Sequence, residues 1–116
     1  MSSVLHIDTS MLDGLKELLA DNFVQLISAY ISDGTERLSR LSHAMTNVDL
    51  PNVTMESHAL KGSSKNIGAE YFAELCGALE QQARAGNAEN FEQKFAAIEQ
   101  EFAAIVKELQ PYLSLV

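Results

Sequence analysis

The sequence predicts an all-α protein, an antiparallel four-helix bundle with a short additional N-terminal helix. Three observations lead there. Apolar residues recur at intervals of three and four along most of the chain, and no stretch alternates as a half-buried strand would. Helix start and stop residues punctuate that pattern at short intervals, so successive helices must fold back on one another. The 116 residues suffice for one core, and the composition, 47% hydrophobic with no tryptophan and two prolines, suits a helical domain.

Met1 to Ile7 carries no helical pattern and reads as loose chain. Asp8 is placed to cap a first helix through Leu12, Leu15, Leu18 and Leu19, and Ala20-Asp21-Asn22 then breaks or bends the chain. Phe23, Leu26, Ile27, Tyr30, Ile31, Leu38, Leu41, Met45 and Val48 repeat at three and four, giving a long second helix reaching about Asn47, with Gly34 as a weak point inside it. Asp49-Leu50-Pro51 starts a third helix, about 50–67, which stops near Gly68. The fourth buries Phe72, Leu75, Cys76, Leu79 and Ala83 and stops at Gly86. Asn87 is expected to cap the fifth, whose stripe runs from Phe91 to Leu113 with Pro111 disturbing its last turn. One residue breaks the pattern. Glu56 falls on the side of the third helix assigned to the core, so either that helix is splayed near its start or Glu56 escapes past the bundle's end.

Net charge is −8, from sixteen acidic and eight basic residues, which disfavours nucleic-acid backbones and anionic membranes as partners. No apolar run approaches the roughly eighteen residues of a membrane span, and Met1 to Ile7 is unlike a secretory signal. A cytoplasmic single domain, 1–116, is expected. The lone Cys76 forbids an internal disulfide and a cysteine-built metal site.

Against that acidic background one stretch is locally basic: Ser57-His-Ala-Leu-Lys-Gly-Ser-Ser-Lys-Asn-Ile-Gly-Ala69. On a helix Lys61 lies about 60° from His58, Gly62 about 40° and Lys65 about 20°, while Leu60 and Ile67 lie roughly 160–180° away. The helix therefore has an apolar back and a front bearing an imidazole between two ammonium groups. Glycine inside a helix costs about 1 kcal/mol relative to alanine, so Gly62 on that front is best explained by the close approach of another backbone. A neutral imidazole is a nucleophile, and nearby ammonium groups suit an arriving anion. The pattern fits an exposed, phosphoryl-accepting histidine.

These residues resemble the signature of the histidine phosphotransfer (HPt) domain, His-x-Leu-Lys-Gly-Ser followed by Gly-Ala, here His58, Leu60, Lys61, Gly62, Ser63, Gly68 and Ala69. Leu75, Cys76, Leu79, Glu80, Arg84 and Gly86 continue the likeness into the next helix. The resemblance implies a monomeric phosphorelay carrier in the same bundle fold. His58 Nε2 would take a phosphoryl group from a receiver-domain aspartyl phosphate and pass it to another receiver aspartate. The partners implied are receiver domains of hybrid histidine kinases and of response regulators. Mg²⁺ would come from the receiver, the carrier having no cofactor of its own and no kinase or ATP-binding domain. Lys61 is expected to contact phosphate. Glu80 is a candidate to orient the His58 ring through Nδ1, with an i,i+4 pair to Arg84 equally open and Gln81 or Gln82 as substitutes. Lys65, Gly62, Gly68, Ser64 and Arg84 complete the expected docking surface, Ser63 being directed toward the bundle and Ser64 to its flank. His6 and His43 lack small or basic neighbours and do not resemble acceptors. A kinase phosphoacceptor hairpin and a phosphate-free binding module are the competing readings; Ala59, where the hairpin family has an acidic residue, disfavours the first.

Overall fold

The computed structural model describes residues 5–113. The order is α1 (Thr9–Leu19), a 3₁₀ turn (Ala20–Asn22), α2 (Phe23–Thr46), α3 (Leu50–Asn66), α4 (Glu70–Arg84) and α5 (Phe91–Leu113), with no strand among the described residues. Helices α2 to α5 form the antiparallel bundle around Phe23, Leu41, Leu60, Phe72, Leu79 and Ile105, all buried. One chain thus closes the bundle that a kinase hairpin would complete with a second copy.

The predicted punctuation is realised with corrections. Asp8 Oδ1 accepts from the Met11 amide, and the Asp49 side chain accepts from Asn52, so both caps hold. Leu18 leaves the expected stripe and is 79% exposed. Gly68, with φ +85°, ends α3 in a loop where the Ala69 amide returns to the Ser64 carbonyl at 2.9 Å. Asn87 does not cap α5. Its Oδ1 instead accepts from the Glu89 amide at 2.8 Å, and α5 begins at Phe91 after Asn90 at φ +58°. Nor does Pro111 disturb the last described turn of α5, which stays helical through Leu113, with Tyr112 packed edge-on against Phe23 at 5.7 Å. Packing outweighs the one missing amide. Gly34 is no weak point, because α5 presses onto it: a Cβ there would lie 2.6 Å from the Phe102 ring.

The N-terminal approach is tied down where loose chain was expected. From Leu5 onward Ile7 is buried, the Asp8 amide donates to the Gly68 carbonyl at 2.9 Å, and His6 Nδ1 meets the buried Glu101 carboxylate at 2.7 Å. Residues 1–4 of that expectation lie outside the described residues.

Glu56 satisfies neither placement foreseen for it. It is 4% exposed and held between two guanidiniums of α2, Arg37 Nη1 at 3.0 Å and Arg40 Nε at 2.9 Å. A buried carboxylate is tolerated because α2 brings cations to it. Both arginines reach water, whereas Glu56 does not. Removing the arginines therefore strands a buried charge, and removing the acid does not. Replacing both Arg37 and Arg40 by Met is expected to destabilise by about 3–5 kcal/mol, against about 1 kcal/mol or less for Glu56→Leu. Urea unfolding compares the two, and equal losses would contradict this account.

Candidate functional site

Helices α3 and α4 are the most closely associated pair in the bundle, and the candidate site lies along their seam. The short turn at residues 67–69 sets their register, which brings His58 and Lys61 of α3 opposite Glu80 and Arg84 of α4. The His58 side chain is 63% exposed, whereas the Glu80 carboxylate beneath it is 6% exposed. His58 Nδ1 lies 2.9 Å from Glu80 Oε2. Arg84 reaches that same oxygen, Nη2 at 2.9 Å and Nε at 3.3 Å, while the Lys61 ammonium lies 2.8 Å from Oε1.

One buried carboxylate thus gathers three nitrogen bases. Burial alone would push its pKa up, but the ion pair with Lys61 and the hydrogen bonds from Arg84 and His58 hold it down to about 2. Glu80 is therefore an anion at any physiological pH. As a hydrogen-bond acceptor only, it places the His58 proton on Nδ1 and leaves the Nε2 lone pair facing solvent. Both alternatives left open for Glu80 are realised together, the ring contact and the pair with Arg84. Gln81 and Gln82 take no part: Gln81 is exposed, and Gln82 donates to the carbonyls of Asn87 and Glu89.

Gly62 and Lys65 stand exposed on the same front, and a Cβ built on Gly62 would meet nothing within 4 Å. Two expected docking residues are elsewhere. Ser64 is fully buried, its hydroxyl 2.7 Å from that of Tyr30, and it is Ser63 that lies at the flank, half-buried. Gly68 is buried against Asp8, whose Cβ would lie 3.2 Å from a Cβ added there. For Ser64 the reason is rotational. The buried residues Val53, Glu56, Ser57, Leu60 and Ser64 centre the core face about 40° away from the point diametrically opposite His58. Ser64 turns inward and Ser63 outward.

One contributor was missed. Gly77 of α4 lies under the Lys61 stem, where a Cβ would come within 3.1 Å of Lys61 Cδ. A glycine inside a predicted helix was the available signal, the same signal that drew attention to Gly62. Cys76 is buried, its thiol pushed up to about 12 by desolvation, as befits a core residue. Among the described residues no group of three or more His, Cys, Asp or Glu could hold a metal ion, and no helix is long and apolar enough to cross a membrane.

Fold and site together define a class: helical bundles that display one oriented imidazole beside a lysine on an open helix face. The family model for the Hpt domain matches residues 25–108, and the chain belongs to that family. It is 32% identical over 104 residues to histidine-containing phosphotransfer protein 4 of Arabidopsis thaliana, covering 84% of this chain and 82% of that protein. To phosphorelay intermediate protein rdeA of Dictyostelium discoideum it is 28% identical over 88 residues, covering 76% of this chain but 35% of the other. Among solved structures, histidine-containing phosphotransfer protein B from Pseudomonas aeruginosa PAO1 superposes with a TM-score of 0.93 at 29% identity, over 98% of this chain and 99% of that one. The maize protein ZmHP2 shares the fold, with a TM-score of 0.83 at 23% identity over 96% of this chain and 91% of its own.

The depressed Glu80 pKa has a pH consequence. An acid whose folded pKa is lowered contributes stability above its unfolded pKa and loses it as pH falls through the folded one. The stability difference between wild type and Glu80→Gln is expected to shrink as pH drops from 4.5 to about 2. Denaturant unfolding at stepped pH measures it, and a difference constant across that window would mean the carboxylate is not held as described.

Proposed function

We propose that this chain is a phosphorelay carrier in which His58 Nε2 accepts a phosphoryl group from a receiver-domain aspartyl phosphate and yields it to the aspartate of another receiver. The observation carrying this reading is the 2.9 Å contact of His58 Nδ1 with a buried, ionised Glu80 beneath a ring that is 63% exposed. The Nε2 lone pair attacks phosphorus, the N–P bond forms as the P–O bond to the receiver aspartate breaks, and the aspartate leaves as a carboxylate. The ring gains positive charge while its proton stays on Nδ1, and the Glu80 anion stabilises that charge as it develops. Attack by the second receiver's aspartate reverses the sequence.

Positioning and electrostatics carry most of such a transfer, whose transition state is loose. Lys61 supplies a cation one turn from the ring, and Lys65 extends the positive front toward the acidic pocket of a receiver. Gly62 leaves the approach to His58 clear. Mg²⁺ enters with the receiver, and the chain works as a cytoplasmic monomer, a single phosphotransfer unit without kinase activity. Membership of the Hpt family supports the transfer, and a bundle closed within one chain supports the monomer.

Incubation with a phosphorylated receiver tests the reading. Wild type is expected to acquire acid-labile, base-stable label and His58→Gln none; equal labelling of the two would refute the assignment. Gly62→Leu has open space for its side chain, so the fold should persist while receiver affinity falls by about tenfold, roughly 1.4 kcal/mol. Calorimetric titration with the receiver measures that loss, and unaltered affinity would place docking elsewhere.

A further inference from the structure

At rest the Lys61 ammonium is engaged by Glu80, 2.8 Å from Oε1, and the lysine stem lies across α4 where Gly77 leaves room for it. The two oxygens of Glu80 divide their partners: Oε1 takes Lys61, and Oε2 takes both His58 and Arg84. Lys61 can therefore depart without disturbing the contact that orients the ring. Lys61 and His58 stand one helical turn apart, a separation that rotation of one lysine side chain spans.

Resting on the phosphotransfer reading, we propose that Lys61 serves two anions in turn, Glu80 before transfer and the phosphoryl oxygens on His58 after it, and that Arg84 is the positioning residue that frees it to move. The argument is one of charge. Glu80 is 4% exposed, and a carboxylate at that depth is strongly unfavourable without a cation beside it. With Arg84 on Oε2, the departure of Lys61 leaves Glu80 still paired. Without Arg84, Lys61 is the sole cation on a buried acid until the ring itself becomes charged, and it is held there as transfer begins. Arg84 is 61% exposed and on sequence alone passes for an ordinary i,i+4 surface pair, worth only a few tenths of a kcal/mol. Its partner's burial is what gives it a second role.

The test is a double-mutant cycle on phosphotransfer from a phosphorylated receiver, using Lys61→Ala, Arg84→Met and the pair together, with circular dichroism to verify the fold. Loss of a charge-assisted contact to the phosphoryl group should slow transfer by about tenfold in Lys61→Ala. Arg84→Met should slow it similarly, the double variant should be no slower than Lys61→Ala, and Arg84→Lys should restore most of the rate. The loss in Arg84→Met should persist at saturating receiver, where any change in docking no longer counts. A spectroscopic signature accompanies the kinetics. The Lys61 side-chain NMR signal should shift on phosphorylation of wild type by phosphoramidate and shift less in Arg84→Met.

Arg84→Met transferring at the wild-type rate would overturn the proposal. So would rate losses that multiply in the double variant, or a loss that disappears at saturating receiver, since either makes Arg84 a direct contact. Should wild type itself take no phosphoryl group, the carrier reading falls and this one with it; labelled wild type with an indifferent Arg84→Met removes only the role given to Arg84.

Discussion

The site depends on one buried negative charge. A carboxylate at the depth of Glu80 ought to be protonated, and it is ionised because α3 and α4 together deliver cations to it. That requirement runs in both directions. The cations keep Glu80 ionised, and the ionised Glu80 fixes which nitrogen of His58 bears the proton and where Lys61 rests. Because His58 and Lys61 come from one helix and Glu80 and Arg84 from the other, the same charge also pins the two helices in register. A slip by one residue would turn Glu80 off the seam and bring an exposed Gln81 toward it.

The local balance differs in sign from that of the whole molecule. The chain carries a net −8, yet Lys61 and Arg84 against Glu80 leave one positive charge at the seam, with Lys65 adding another beyond it. An acidic surface with a confined cationic front repels polyanions in general and still favours an acidic pocket that can dock on that front. Another buried acid, Glu56, lies on α3, the helix of His58, and is neutralised by α2. Its arginines are committed to structure. The two acids resemble each other in depth and differ in what they hold: one locks helix to helix, the other locks helix to helix and aims a nucleophile.

Most of the bundle was legible because amphipathic spacing and helix punctuation are local properties of the chain. The His58 front was legible for the same reason, since Lys61, Gly62 and Lys65 share a face through helical geometry alone. What escaped depended on contacts between helices. Glu56 looked misplaced because nothing in α3 announces that Arg37 and Arg40 will reach across from α2. Ser64 looks surface-facing while the core face is drawn opposite His58, whereas packing rotates that face by about 40°; Gly68 looks open until the N-terminal approach closes over it at Asp8. His6 looked like loose chain because its partner, Glu101, is 95 residues away. Pro111 follows the same rule, its local penalty being overridden by the packing of Tyr112.

The internal glycines show how far a single local signal reaches before tertiary structure must interpret it. Besides Gly14 in α1, where a Cβ would also meet nothing within 4 Å, Gly34, Gly62 and Gly77 each stand inside a helix of the bundle, where glycine is disfavoured. The structure separates them by what occupies the space a Cβ would fill: the Phe102 ring at Gly34, the Lys61 stem at Gly77, and nothing at Gly62. Core packing accounts for the first and side-chain positioning for the second. The third has no occupant within the chain, so the helical penalty there is offset by nothing intramolecular. An unoccupied clearance beside an exposed, oriented imidazole is what a protein would keep for a surface that arrives from outside. Gly62 is thus the one glycine of the three whose presence the fold leaves to the encounter with a partner.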